Sequence, residues 1–529
     1  MKLVALSAGL AGLAILLGAP TANVSAADEA NPAAEKAAAL IPLVFDAATT
    51  YQTWEGWGQT LSTTGCPVEK WAKDPTLATY DANPVAEGWP QDFMAKLVDD
   101  IVFELGLTRF RLEIGPQVEI EQDTEDPNVV NPKAFRFQWQ DAMIERQFLP
   151  LKRRIEGRRE KAVLYVSYGL NSALSKDFLL QPTNYAKMAE VFARRLKSRY
   201  DLEVDYWSVL DEPGTQGRPG YPKLYADLAS AVGTRLAMAG FTTKMSGPEC
   251  ADIAQVPDYV RALQNTAGAL DLFRQLTYHL SGDAANVSGR QAVRDLAKKL
   301  DVSGAQTRWI GGKDLEVARG IYLCLTQANA VAWERGSYES LYQIDEAKWT
   351  FEKNSSAWHV RQYSRYIRPG SVRVRMDSPD ENIQPVALLS PRQNAIVVLI
   401  NNRAAMQKAR ISGLPAGNYQ VSYTASQAYG KALPDATVDK DLPLDLELPA
   451  LSVLTLTAEG AVSAADENIK PALLPKPSTS PAPATPRPAA PGKGPATKGT
   501  RPPAGKRSGR PTGAARATRS SWPAARSSA

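Results

Sequence analysis

Histidine and cysteine are almost missing from this sequence: two of the first and three of the second among 529 residues. With His279 and His359 as the only imidazoles, and Cys66, Cys250 and Cys324 spread far apart, neither a histidine-rich metal centre nor a cysteine zinc cluster is expected. So few cysteines also exclude a disulfide scaffold. One bridge, Cys66 to Cys250, remains open because both residues follow expected strands, whereas Cys324 lies in a helical apolar pattern and reads as core. No Gly-rich phosphate loop occurs, and past the N-terminus no apolar run is long enough to span a membrane. Neither a cofactor nor a metal is expected.

Charge of one sign is missing from one region only. Twelve of the Lys and Arg residues and none of the Asp and Glu fall within 468–529, which turns the overall +5 into −7 for the rest of the chain. A mildly acidic body argues against nucleic acid as the ligand of the folded part. The basic stretch, with its run PKPSTSPAPATPRPAAPGKGPATKGTRPPAGKRSGRP, lacks the apolar residues to bury a core and reads as a disordered tail over 461–529. A solvated tail is the plain reading; contact with an anionic envelope or acidic polysaccharide is the functional one. At the other end, MKLVALSAGLAGLAILLGAPTANVSA has the lysine, apolar run and small residues of a secretory signal cleaved near Ala26, so a secreted, periplasmic or cell-envelope location is expected.

Over 50–368, β-rich runs alternate with amphipathic helical runs. The expected strands are 51–58, 108–115, 162–169, 204–211, 243–247, 273–280, 306–311 and 330–335. Eight such units predict an α/β fold, a (β/α)8 TIM barrel; a doubly wound sheet is the alternative. Over 369–460 helical patterns vanish, and short strands such as VRVRMDS, AIVVLINN and LSVLTLTAEG predict a C-terminal antiparallel β-sandwich side domain. The segment 27–49, with AALIPLVFDA, is expected to join that sandwich.

The segment WSVLDEPG (207–214) ends an apolar strand in two carboxylates at a proline. Pro213 cannot donate to a ladder and disfavours helix at Glu212, so the acids stand at the C-terminal end of a barrel strand, where this architecture keeps its chemistry. Together with EGWG (55–58), LGLTRFRLEIG (105–115), TYHLSG (277–282), QYSRYIRPGSVRV (362–374) and LPALSVLTLTAEG (448–460), VLDEPG resembles, in order, the motifs of glycoside hydrolase family 30. The likeness covers roughly 42–460 and is nearest to the endo-β-1,6-galactanase-like bacterial members. It implies a retaining glycosidase with two carboxylates about 5–5.5 Å apart.

By that resemblance Glu212 is the acid/base, and Asp211 stands where the family has the Asn that bonds the sugar. The seventh strand departs from the family. Gln306-Thr307-Arg308-Trp309-Ile310-Gly311-Gly312 puts Gly311 or Gly312 at the nucleophile position, and neither has a side chain to attack with. The acids left to consider are Asp314 and Glu316, which also suit a helix start, Glu334 on the eighth strand, and Glu249 after the fifth. Substrate-binding candidates are Asp211, Arg111, Tyr278 and His279, together with Trp54, Trp57, Trp309 and Trp333, about half of which are expected to stack on sugar rings. Arg111 and Glu113 alternate on one face and can pair or bind hydroxyls, while His359 reads as structural. SYGLN (167–171) replaces the family's third-strand run, so the glycone pocket should differ.

Two functions are compatible with these residues: an exported glycoside hydrolase acting on a β-linked poly- or oligosaccharide with a displaced second carboxylate, or a carbohydrate-binding pseudoenzyme without a nucleophile. The first is narrowly preferred. A third reading makes the barrel merely structural.

Overall fold

The structure, a computed structural model, describes residues 40–61, 89–115, 118, 126, 129–169, 180–214, 222–280, 286–309 and 311–461. Cys66, the N-terminal leader, the basic tail and the end of SYGLN lie outside these residues, and so do the expectations attached to them. Among the described residues no helix is long and apolar enough to cross a membrane.

After the long strand β1 (Ile41–Thr53), eight parallel strands close into a barrel: β2 (Gly56–Thr60), β3 (Arg109–Ile114), β4 (Val163–Tyr168), β5 (Tyr206–Ser208), β6 (Lys244–Cys250), β7 (Phe273–Tyr278), β8 (Ser303–Trp309) and β9 (Ala332–Arg335). All eight expected runs contribute a stave. The reason is visible in β3, where Phe110, Leu112 and Ile114 face the helical layer while Arg109, Arg111 and Glu113 face inward. The covering helices, among them Pro182–Tyr200, Pro222–Met238 and Leu315–Thr326, pack their apolar faces onto those outward residues. A hairpin, β10 (Tyr342–Asp345) with β11 (Thr350–Lys353), comes after the last stave.

The remaining strands are β12 (Val372–Asp377), β13 (Ile383–Leu389), β14 (Ala395–Asn401), β15 (Gln407–Ser412), β16 (Gly417–Ala425), β17 (Ala428–Val438), β18 (Leu444–Leu448) and β19 (Ser452–Ala458). With β1 they make one nine-stranded sheet in the order β17-β16-β19-β14-β13-β12-β1-β15-β18, antiparallel except for β1 beside β15. The sheet curls: its two edge strands, β17 and β18, approach each other, and residues from both ends, such as Val438 and Leu448, join one core. This is the side domain expected from the sequence. In β14 the alternation serves two cores. Ala395, Val397 and Leu399 enter the sheet's own core, and Ile396, Val398 and Ile400 pack with the barrel's helical layer.

Strand β17 is the one the sequence hides, since AYGKALPDATV carries Gly430 and Pro434. It lies at the sheet edge, where a proline leaves no ladder bond unmade, and the pairing skips a residue between Tyr419–Ala436 and Val421–Leu433.

The second glycine of EGWG, Gly58, has a definite steric task. A Cβ on Gly58 would sit 2.6 Å from the Arg109 carbonyl oxygen and 2.8 Å from Glu334 Cγ. Gly58→Ala should therefore lower stability by about 1–3 kcal/mol through overpacking, read as a lower thermal midpoint with the secondary structure retained.

Candidate functional site

The barrel interior is polar and built in three layers. At the N-terminal end Arg109 donates to Glu334 at 3.0 Å, to Glu55 at 3.2 Å and to Gln275 at 3.2 Å, with Tyr206 closing the group. Glu334 is fully buried here; burial raises its pKa despite the attraction of Arg109 and Arg111. It lies below the mouth and is no partner for Glu212.

The middle layer is centred on Glu249, whose carboxylate is completely buried. Arg111 grips it with both terminal nitrogens, at 2.7 and 2.5 Å. Tyr165 donates at 2.9 Å, Ser167 at 2.7 Å and Thr307 at 3.0 Å, and His279 Nε2 stands 3.4 Å away. Burial by itself would raise the Glu249 pKa, but Arg111, His279 and Ser167 reverse this and hold it far below the ordinary range. A carboxylate so enclosed and fully bonded positions its neighbours and presents no lone pair to solvent.

The upper layer is the mouth. Glu212 follows β5 with φ +45, a left-handed backbone unusual outside glycine, and its carboxylate meets His279 Nδ1 at 3.0 Å. His279 thus bridges Glu212 above and Glu249 below. Asp211 accepts from Arg111 at 3.3 Å and from Arg308 at 3.0 and 3.1 Å. Glu113 accepts from Arg308 at 3.0 Å and stands 3.6 Å from Arg111 Nε.

Arg308 is the residue the sequence did not reveal. The register between β8 and β9 shifts between Gln306 and Trp309, and around that irregularity Thr307 and Arg308 both reach the barrel axis. Arg308 Nη2 is 3.2 Å from Glu212 while Nη1 contacts Asp211 and Glu113. Burial would lower its pKa, but Asp211 and Glu113 outweigh that and raise it. The seventh-strand side chain that faces Glu212 is therefore a cation. A signal did exist: Arg308 stands on the strand where the resemblance demands a carboxylate.

Gly311 and Gly312 sit beyond the strand, and Arg335 ties their carbonyls down. Gly312 has φ +74, and a Cβ there would meet the Trp309 indole at 2.9 Å, so this chain has no room for a larger residue. Asp314 stands immediately before the helix Leu315–Thr326 and is bonded to Ser355, and Glu316 accepts from the Lys313 amide at 3.3 Å; both are occupied at that helix start.

The tryptophans require a correction. Trp54, Trp57, Trp309 and Trp333 are each at most 2% exposed and form a run of indoles outside the barrel, with centroids 4.3 Å (Trp54–Trp57), 6.2 Å (Trp57–Trp333) and 6.1 Å (Trp309–Trp333) apart. None lines the mouth. Trp57 alternates with Gly58 and Trp333 with Glu334, so each indole must face outward when its neighbour faces in. Tyr278 likewise points outward, toward Cys324 and Arg290, and only its successor His279 enters the site. His359 is buried and donates to the Ser355 carbonyl at 2.8 Å.

Asp211, Glu249 and His279 converge closely enough to suggest metal ligands. Arg111 and Arg308 already occupy the carboxylate oxygens, however, and two guanidiniums among the donors disfavour a cation.

No protein-family model matches the chain. Solved structures share its fold at low identity. The catalytic domain of xylanase C of glycoside hydrolase family 30 from Talaromyces cellulolyticus superimposes with a TM-score of 0.60 at 16% identity, covering 79% of this chain and 99% of that one. A conserved exported protein from Bacteroides fragilis gives 0.59 at 16%, covering 79% and 100%. An endo-β-1,6-glucanase gives 0.56 at 13%, covering 79% and 93%. The fold is the one these solved structures share.

The Glu249 cluster yields a pH prediction. Because its folded pKa lies below the usual 4.5, the stabilisation is complete above that value and is lost as the pH falls through it toward the folded pKa. Glu249→Gln should lose about 3–5 kcal/mol at pH 7 by removing the bidentate counter-charge of buried Arg111, which keeps only the longer contacts to Asp211 and Glu113. Thermal melts from pH 3 to 7 should show a smaller fall for the variant than for the wild type on acidification.

Proposed function

We propose that this protein is an exported carbohydrate-binding member of the glycoside hydrolase fold, whose barrel mouth holds a β-linked saccharide without cleaving it by double displacement. The carrying observation is Arg308 facing Glu212. A retaining mechanism needs a carboxylate about 5–5.5 Å from the acid/base, to attack the anomeric carbon and oppose the positive charge that develops there. A guanidinium in that place has no lone pair to give, and it repels an oxocarbenium-like transition state. Arg308 also forms an ion pair with Glu212 at 3.2 Å, an arrangement suited to a carboxylate more than to a proton donor. Hydroxyl binding uses the same groups well, since Glu113, Asp211 and Glu212 accept and Arg308 and His279 can donate. Export rests on the N-terminal pattern.

One observation favours hydrolysis as a second reading. Arg308 touches Glu113 through Nη1 and Glu212 through Nη2, so these carboxylates flank one guanidinium. Were Arg308 to swing away, two acids would face each other across the mouth, with Glu113 as the displaced partner.

Binding and reducing-sugar release from a panel of β-linked polysaccharides, β-1,6-galactan included, separate the readings. Under the proposal the wild type binds a panel member without releasing sugar, and Glu212→Gln or Asp211→Asn weakens binding about tenfold. Release that disappears in both Glu212→Gln and Glu113→Gln would replace the proposal with the hydrolase.

A further inference from the structure

At the opposite end of the barrel, where β8 and β9 begin, a cleft of about 790 Å³ opens between the barrel and the side sheet. Its deepest charged group is Arg373 of β12, only 8% exposed. The guanidinium lies over the Tyr51 ring at 3.7 Å. It donates through Nε to Gln52 Oε1 at 2.9 Å and through Nη2 to Asn329 Oδ1 at 2.8 Å. Gln52 is itself fixed, donating to the carbonyls of Leu325 at 2.7 Å and Ala330 at 3.3 Å.

Every one of these acceptors is neutral. Among the described residues no carboxylate approaches Arg373 within ion-pair distance, and its Nη1 makes no hydrogen bond to any of them. Burial takes the guanidinium down to about 10, and Tyr51, Tyr322 and Asp377 oppose this only in part. Charges elsewhere in the cleft do not supply the missing anion. Asp295 is engaged by Arg294 at 2.8 Å and Asp377 by Arg375 at 2.6 Å, while Lys298 adds a further positive charge on the rim. The rest of the lining mixes apolar side chains such as Val302 and Met376 with amides and hydroxyls, including Tyr322, Thr326 and Gln327.

We propose that this cleft is a second ligand site, taking an oxyanion carried on a sugar-sized polar body, a uronate or a sugar phosphate. The oxyanion completes the open edge of Arg373 and is steered by Lys298; the hydroxyls of the body meet the amide and tyrosine lining. A buried cation held rigid by neutral acceptors needs little rearrangement to receive it.

Calorimetric titration of the full chain with glucuronate, glucose 6-phosphate, inorganic phosphate and glucose tests this. At least one of the two sugar anions should bind, more tightly than inorganic phosphate, and glucose should not. Which of the two binds identifies the oxyanion. Arg373→Gln should weaken the binding about tenfold or more, and Lys298→Gln, an exposed change, about threefold; Glu212→Gln at the mouth should leave it unchanged. Binding of neither sugar anion, equal binding of glucose, or inorganic phosphate as tight as the sugar anions would overturn the proposal. So would affinity untouched by Arg373→Gln and Lys298→Gln. If Arg373→Gln does not fold, Lys298→Gln with Arg294→Gln decides in the same sense.

Discussion

The bidentate pair between Arg111 and Glu249 is the constraint on which the barrel interior depends. Two full charges are taken from water there, and only dense bonding makes that tolerable: Ser167, Tyr165 and Thr307 donate to the carboxylate, and Asp211 accepts from Arg111 Nη2. The pair and these partners come from the second, third, fourth, fifth and seventh staves, so one ion pair fixes the mutual height of much of the barrel. It also sets the mouth. Arg111 holds Asp211, and His279, lodged between Glu249 and Glu212, aims the latter. The groups at the opening are placed by groups that no ligand touches.

Backbone strain gathers at the same end. Glu212, Glu249 and Leu280 all have left-handed backbones just where β5, β6 and β7 finish, and the β8 irregularity lies beside them. Four neighbouring staves depart from regular geometry at the mouth, where a regular strand would direct alternate side chains away from the axis. The payload so positioned is a guanidinium at the centre of three carboxylates.

Much of this is readable in the sequence, within limits that have physical causes. The eight staves and the side domain can be recognised because period-two and helical apolar patterns survive wherever one face is buried. Glu212, Asp211, Arg111 and His279 are legible from motifs at strand ends, and the structure brings all four together. Glu249 is easily undervalued, since nothing local marks an acid after TKMSGP as the centre of a cluster with five side-chain partners. The tryptophans mislead for an avoidable reason: strict alternation beside Gly58 and Glu334 already excludes Trp57 and Trp333 from the interior. Arg308 and Trp309 cannot be placed by alternation from the start of the strand, because the register shifts between Gln306 and Trp309 and leaves both Thr307 and Arg308 facing inward. Strand β17 is masked by its proline, which only an edge position renders harmless.

Strand β14 has a wider consequence. Its seven consecutive buried residues contribute to two cores at once, three side chains to each, so the side sheet and the barrel have a wall in common. A cut in the chain near residue 368 would expose apolar surface on both products, and neither half keeps a complete interior without the other. The boundary exists in sequence pattern but not in cooperativity. Such a module is not an independent cassette to be shuffled onto another barrel; it has to be inherited together with the barrel that completes it.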